Sequence, residues 1–136
     1  MGKLYLEVIT PEKVVVSQEA DIVVAPGTLG EFGVLPEHVA FLSGIVPGEL
    51  RFTLGGKTEL LAVTTGFSEV FKNRVSVLVD AAEMGHEIDV ERARRAMERA
   101  KERLEKDRGN EDIDFLRAEL ALRRAIVRIK VAESAK

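Results

Sequence analysis

The chain has 136 residues, of which 46% are hydrophobic and 32% are charged, and its formal net charge is −3. This balance is typical of one globular domain, or of a domain with an appendage, and excludes an intrinsically disordered chain. The absence of cysteine excludes disulfides, thiolate metal sites and cysteine nucleophiles. No apolar run approaches the roughly 20 residues of a membrane helix, so we expect a soluble protein without direct membrane insertion.

Charge and periodicity both change near residue 87. Residues 1–87 carry six Lys or Arg against twelve Asp or Glu, whereas residues 88–136 carry fourteen against eleven. The hydrophobic pattern changes from strand-like to helix-like at the same point. The sequence therefore predicts two units, 1–87 and 88–136.

Short β-rich segments succeed one another through the first unit. They include "KLYLEVIT", "ADIVVAP", "GELRFTL", "TELLAVTT" and "RVSVLVD", and Gly, Pro, Asn or Ser bounds each of them. Runs of this length and spacing predict an all-β sandwich of about ten short strands. "LGGK" and "FKNR" are predicted hairpin turns, because Gly and Asn accept the positive φ angles that such turns need.

Residues 25–48, "APGTLGEFGVLPEHVAFLSGIVPG", differ from the rest of this unit. The segment contains too many glycines for us to predict strands in it, yet it is rich in Phe, Val and Leu. Because loops are normally polar, an apolar loop either packs on its own sandwich or docks on a partner. The chemistry of the segment favours self-packing, and docking stays open as the alternative.

Two amphipathic helices are predicted in the second unit. Small and apolar residues recur at three-four spacing from Val90 to Leu104 and again from Phe115 to Ala132, and "KDRGN" separates the two runs. The short connection makes the helices antiparallel neighbours. The fold class is therefore α+β by content, an N-terminal all-β sandwich followed by a C-terminal antiparallel two-helix hairpin. The alanine-rich seam buries little apolar area, which suits a moving part.

Two motifs stand out against this order of elements. The loop pattern G-x-x-G-x-x-G-V-L-P-x-H is matched from Gly27 to His38. The pattern I/L-D-x-x-R-A is matched by Ile88, Asp89, Arg92 and Ala93. Together they resemble the epsilon subunit family of bacterial F-type ATP synthases, and the resemblance covers essentially the whole chain. It implies a non-catalytic subunit that couples proton translocation to ATP synthesis, peripheral on the cytoplasmic face of the cell membrane.

The resemblance also implies partners for both units. The sandwich would dock on the gamma subunit and the c-ring through Glu31, Phe32, Val34, Leu35, His38, Phe41 and Leu42. The hairpin would alternate between a folded form and an extended form that contacts the alpha and beta catalytic subunits and inhibits ATP hydrolysis. The inhibitory basic stripe would be Arg117, Arg123, Arg124, Arg128 and Lys130, which an acidic partner segment would attract.

In some members of the family the folded hairpin binds ATP as a regulatory ligand. The matching positions here are Glu83, Ile88, Asp89, Arg92, Ala93, Arg99, Arg124 and Arg128. Arg124 and Arg128 are four residues apart and so share one helix face, where two guanidinium groups can fork onto phosphate oxygens. No P-loop is present, so we expect a sensor without hydrolysis, and we expect neither catalytic residues nor a metal site.

Simpler interpretations exist for the same features. Asp89 is expected to cap the first helix whether or not it contacts a ligand. A purely structural stalk adapter, whose hairpin neither binds ATP nor moves, differs from the sensor only in the role of the second unit. A nucleic-acid binder would use the basic hairpin, but interleaved acids and the single aromatic residue of the hairpin, Phe115, argue against it.

Overall fold

A computed structural model describes residues 2–106 and 112–135. Within these residues the strands are β1 (Leu4–Ile9), β2 (Val14–Ala20), β3 (Ile22–Gly27), β4 (Gly30–Val34), β5 (Phe41–Ile45), β6 (Gly48–Leu54), β7 (Lys57–Val63), β8 (Gly66–Phe71), β9 (Arg74–Val79) and β10 (Ala82–Met84). A single 3₁₀ turn, Gly85–Glu87, leads into the helices α1 (Val90–Lys106) and α2 (Asp112–Ser134). The predicted sandwich followed by a two-helix hairpin is confirmed.

The strands form one hydrogen-bonded sheet that folds over on itself. Their order is β10-β7-β6-β3-β5-β8-β9-β1-β2, and β4 pairs with β3 outside this path. Neighbours run antiparallel except β1 and β9, which are parallel. The two ends of the order, β10 and β2, approach each other, so the sandwich is close to a closed barrel. In most strands alternate residues point into the core of the sandwich, as Leu4, Leu6 and Val8 do on β1.

Both predicted hairpin turns are confirmed. Gly55 and Gly56 join β6 to β7 with φ angles of 59° and 81°, and Lys72 and Asn73 join β8 to β9 with φ angles of 49° and 62°. Positive φ at both central residues is the requirement of a two-residue type I′ turn, and that turn matches the twist of the strands it connects.

The glycine-rich segment 25–48 was predicted without strands, and this prediction is wrong. It contains the end of β3, all of β4 and all of β5. Its glycines serve close packing and turning: a Cβ at Gly44 would lie 2.7 Å from the Thr28 methyl group, and Gly30 has a φ of 118° at the β3–β4 turn. At Gly44 the neighbouring Thr28 occupies the space that a side chain would take, and at Gly30 the positive φ favours glycine.

One polar group inside the sandwich lacks a partner. Ser68 on β8 is fully buried, and its Oγ makes no hydrogen bond to any part of the chain that the structure describes. Because burying an unpaired hydroxyl is unfavourable, we expect Ser68→Ala to raise the free energy of unfolding by about 1 kcal/mol. Urea unfolding of both proteins tests this, and a less stable variant would contradict it.

The hairpin seam is formed mainly by alanines, as predicted. Ala93 and Ala100 of α1 and Ala118 and Ala125 of α2 are all buried. Phe115, placed in the seam by its spacing, is instead 41% exposed. The segment "KDRGN", predicted to end the first helix, reaches into residues 107–110, which lie outside the described part of the chain.

Only the C-terminal part of α2 packs on the sandwich. Val131 and Ala132 are buried in an apolar cluster with Ala62 of β7 and Ile88, and Val127 packs beside them. Farther toward the start of α2, Leu116 and Leu120 lie on the surface. This cluster is small compared with the sandwich core, so little apolar area holds the hairpin down.

Candidate functional site

A pocket of about 390 Å³ lies where the hairpin meets the sandwich. Residues from β7, β10, α1 and α2 form its walls, so it exists only while both helices lie against the sheet. Four charged side chains line it, Glu83, Arg92, Arg124 and Arg128. Most of the remaining lining is alanine, valine and threonine. Its volume lies within the range of small-molecule sites, about 300–1,000 Å³.

A bidentate ion pair crosses the pocket from hairpin to sandwich. Arg128 donates from Nε to Glu83 Oε1 at 2.6 Å and from Nη2 to Glu83 Oε2 at 3.2 Å. Arg128 is largely buried, with 23% of its side chain exposed. The pair joins α2 to β10, and its fork geometry fixes the direction of the Arg128 guanidinium.

The two other arginines of the pocket carry uncompensated charge. Among the side chains that the structure describes, neither Arg92 nor Arg124 forms an ion pair. Three cations and one acid therefore face a space bounded by small residues. This arrangement can hold an anion with several oxygen atoms, and arginine suits phosphate groups because its fork is planar.

The remaining residues predicted to contact ATP do not line this pocket. Asp89 caps α1, since its Oδ1 accepts a hydrogen bond from the Arg92 backbone N–H at 3.1 Å. Ile88 belongs to the cluster between hairpin and sheet, and Ala93 is fully buried. The I/L-D-x-x-R-A motif thus presents one side chain, Arg92, and uses its neighbours to position it. Arg99 lies along α1 in a separate cleft with Glu102, Arg103 and Lys106.

The predicted basic stripe does not form a single surface in the folded hairpin. Arg124 and Arg128 line the pocket, whereas Lys130 borders a groove elsewhere on the hairpin. At 100° per residue, Arg117 shares the face of Arg124 and Arg128, while Arg123 shares the face of Lys130. Two of the five cations are therefore committed to the pocket while the hairpin is folded.

The residues predicted to dock on a partner divide between the surface and the interior. Glu31, Leu35, Phe41 and Leu42 are exposed. Phe32 and His38 are half-buried and meet the Phe41 ring edge-on, with centroids 5.1 and 5.9 Å away. Val34 is fully buried in the sandwich core, so the assignment of Val34 to the docking surface is wrong. It fills the core because it ends β4 on the inward-facing side.

Part of the apolar surface was missed by the sequence reasoning. Phe67, Phe71 and Leu78 project from the outer face of β8 and β9 beside Leu42 of β5, and all four are exposed. We call these four residues the outer apolar patch. The alternation in "GFSEVF" carried the signal, because Phe67 and Phe71 lie on the face opposite the buried Ser68 and Val70. Phenylalanines on the solvent side of a strand indicate an interaction surface.

Glu31 at the start of the docking segment is paired with β6. Arg51 donates from Nη1 to Glu31 Oε2 at 3.0 Å and from Nη2 to Glu31 Oε1 at 3.1 Å. These hydrogen bonds lower the pKa of Glu31, and the charge of Lys130 acts in the same direction. The pair therefore adds stability above the pKa of an unfolded glutamate, about 4.3. That contribution is lost as the pH falls through the lower folded pKa.

This pairing gives a direct titration test. We expect the Glu31 carboxyl to titrate below its ordinary range when followed by ¹³C NMR, and we expect Arg51→Met to return its pKa toward that range. Lys3, just before β1, pairs with Asp21, which lies between β2 and β3. This pair serves as an internal reference, because Asp21 also has a lowered pKa and does not contact Arg51. Equal Glu31 titration in both proteins would contradict the assignment.

Family models and relatives match the whole of this architecture. The ATP synthase delta/epsilon chain beta-sandwich domain matches residues 3–85, and the long alpha-helix domain of the same chain matches residues 86–133. The chain belongs to the epsilon chain family of F-type ATP synthases. Members of this family are structural or regulatory subunits of the central stalk and do not carry the catalytic site.

Individual relatives extend over nearly the full chain. The ATP synthase epsilon chain of Syntrophobacter fumaroxidans is 50% identical over 131 residues and covers 96% of each chain. That of Desulforamulus reducens is 52% identical over 128 residues, covering 94% of this chain and 96% of its own. A chain of the Euglena gracilis mitochondrial ATP synthase has the same fold, with a TM-score of 0.81 at 22% identity, covering 99% of this chain and 82% of that chain.

The part of the chain that the structure describes contains neither a metal-ligand cluster nor a membrane-crossing helix. No cluster of three or more His, Asp or Glu side chains there has a metal-binding arrangement. None of the described helical segments combines the length and the apolar character needed to cross a bilayer.

Proposed function

We propose that the sandwich couples the central stalk to the c-ring during proton-driven ATP synthesis, docking on the gamma subunit and the c-ring from the cytoplasmic side of the membrane. Two features support this role. The outer apolar patch presents Phe and Leu side chains that a monomeric sandwich leaves in water. Segment 28–42 adds Leu29 at a hairpin tip, together with Leu35, Val39 and Leu42, all exposed. The Tetrahymena thermophila mitochondrial central stalk and c-ring contain a chain of the same fold.

We propose further that the hairpin inhibits ATP hydrolysis when it extends, and that ATP favours its folded form. The observation that carries this proposal is the convergence of Arg92, Arg124 and Arg128 with Glu83 on one pocket between hairpin and sandwich. A bound nucleotide would supply phosphate oxygens to the arginines. Because the pocket needs both units in contact, ligand binding stabilises the folded form by its differential affinity for the two forms.

The Glu83–Arg128 ion pair defines what the ligand must do. This pair joins hairpin to sandwich, so a phosphate group can share Arg128 or displace Glu83 from it. When Glu83 is displaced, its carboxylate becomes available to accept from an amino or hydroxyl group of the ligand. When the hairpin extends, Arg124 and Arg128 leave the pocket, and their charges become available to the catalytic subunits.

The alternative to this proposal is a structural adapter whose hairpin is fixed. Removing the hairpin by truncation distinguishes the two functions. The sandwich core lies within residues 4–84, so a chain ending at Glu87 retains all of it. ATP synthase depleted of this subunit is reconstituted with the full chain or with the truncated chain, and ATP hydrolysis and proton pumping are measured. We expect both chains to restore pumping and only the full chain to slow hydrolysis. Equal hydrolysis rates would favour the adapter.

A further inference from the structure

Residues 35–40, which join β4 to β5, are tied to the β8–β9 turn through Asn73. The backbone N–H of Glu37 donates to Asn73 Oδ1 at 2.7 Å, and Asn73 Nδ2 donates to Glu37 Oε1 at 3.2 Å. The two residues are 36 positions apart in the chain, so the reciprocal pair joins two separate elements. One side chain thereby holds both the backbone and the carboxylate of Glu37.

Glu37 has a backbone conformation that requires such support. Its φ of 72° lies in the left-handed region, which is unfavourable for a residue with a Cβ. Residues persist there when their surroundings fix them. Asn73 also has a positive φ, which asparagine tolerates well. It can therefore complete the β8–β9 turn and hold Glu37 at the same time.

The segment held in this way presents exposed apolar side chains. Leu35 and Val39 flank Glu37 on either side, with 58% and 74% of their surface exposed. His38 completes the segment, since its Nδ1 lies 2.7 Å from the Val39 carbonyl oxygen and its ring packs edge-on to Phe41. Fixing Glu37 therefore fixes the directions of Leu35 and Val39. A segment ordered before docking loses less conformational entropy when it docks.

We propose that Asn73 is a positioning residue for docking, acting through Glu37 to hold segment 35–40 in the shape that the stalk and c-ring surface receives. This inference rests on the proposed docking function of the sandwich. Asn73 itself need not touch the partner, because its contribution is made within the free chain.

Substitutions at these positions separate side-chain support from turn geometry. Asn73→Gly keeps the positive φ and removes the clamp, whereas the double variant Glu37→Gln/Asn73→Asp keeps both hydrogen bonds, since the new carboxylate accepts from the backbone N–H of residue 37 and from the new side-chain amide. Lys72→Gly is the matched control, since it places glycine at the other positive-φ position of the same turn. We expect the Glu37 amide to exchange about fivefold faster in Asn73→Gly, as loss of one hydrogen bond implies. The backbone amide of residue 37 should exchange at nearly the wild-type rate in Glu37→Gln/Asn73→Asp and in Lys72→Gly.

Binding of the full chain to ATP synthase depleted of this subunit provides the second measurement. We expect Asn73→Gly to weaken binding roughly fivefold, from the cost of ordering the segment on docking, and Glu37→Gln/Asn73→Asp to bind nearly as well as the wild type. A Leu35→Ser/Val39→Ser double variant tests the docking surface itself. Unchanged Glu37 exchange in Asn73→Gly would overturn the inference. So would wild-type binding by Asn73→Gly when the double variant binds weakly. Wild-type binding by the Leu35→Ser/Val39→Ser variant would overturn docking through this segment, and with it this inference, but would not overturn docking through the outer apolar patch.

Discussion

Replacing Gly85 with valine is expected to release the hairpin while the sandwich stays folded. Gly85 lies beneath the end of α2, where an added Cβ would be 2.7 Å from the Ala135 Cβ and 3.3 Å from both the Leu60 carbonyl oxygen and a Val131 methyl group. Overpacking of this kind costs about 1–3 kcal/mol. At about 1.4 kcal/mol for each factor of ten, the ratio of docked to released hairpin should fall by roughly fivefold to a hundredfold.

Trypsin sensitivity of the isolated chain reports this release. Arg128 is largely buried by the docked hairpin, so we expect faster cleavage after Arg128 in Gly85→Val. In the reconstituted complex we expect the same variant to slow ATP hydrolysis. Gly2→Val is the matched control, because no atom lies within 4 Å of a Cβ added there. Unchanged cleavage and unchanged hydrolysis in Gly85→Val would show that this contact does not hold the hairpin down.

Removing either Arg92 or Arg124 from the pocket is expected to weaken ATP binding sharply. Arg92 and Arg124 come from different helices and face the same space. A hydrogen bond to a charged group contributes about 1.5–3 kcal/mol, so each of Arg92→Ala and Arg124→Ala should raise the dissociation constant by roughly tenfold or more. Calorimetric titration of the isolated chain with ATP, with and without Mg²⁺, measures this.

Two other arginines serve as controls for loss of charge alone. Arg94 is on α1, pairs with Glu91 and Glu133 and lies away from the pocket, and Arg123 is the exposed neighbour of Arg124. Arg94→Ala and Arg123→Ala should bind ATP about as well as the wild type. If all four variants lose affinity equally, the nucleotide is attracted by overall charge and not by the pocket. If none loses affinity, the pocket is not the site.

The spacing of hydrophobic residues and the Gly and Asn residues of the turns were enough to predict the sandwich, both hairpin turns and the start of α1 at Val90. These features depend on local preference, which the sequence carries directly. The strands of segment 25–48 were missed because glycine propensity was weighed without the groups that fill the space around it, such as Thr28 over Gly44. Val34 was assigned to the surface because β4 was not predicted. The inward and outward faces of a strand can be assigned only after the strand itself is recognised.

The candidate site was only partly accessible from the sequence. The pocket brings Glu83 and Arg92 together with two arginines some 30 residues farther along the chain, and that approach depends on how the hairpin lies on β7 and β10. The motif indicated Arg92 and Asp89 but could not separate the residue facing the pocket from the residue capping the helix. The Glu83–Arg128 pair required the fold, because no periodicity relates a β10 residue to one on α2.

Control of the hairpin by ATP is the central claim, and the distance between hairpin and sandwich tests it most directly. Because the chain contains no cysteine, spin labels can be attached at Gln18→Cys on β2 and Glu119→Cys on α2, two exposed positions. Electron–electron double resonance on the labelled chain within the reconstituted complex then measures the distance between the two labels, and the share of short distances gives the folded fraction. We predict that this fraction rises with ATP and is half-maximal at or above the dissociation constant of the isolated chain, because the extended form competes with binding in the complex. A distance distribution that is the same without ATP and at saturating ATP would contradict the account.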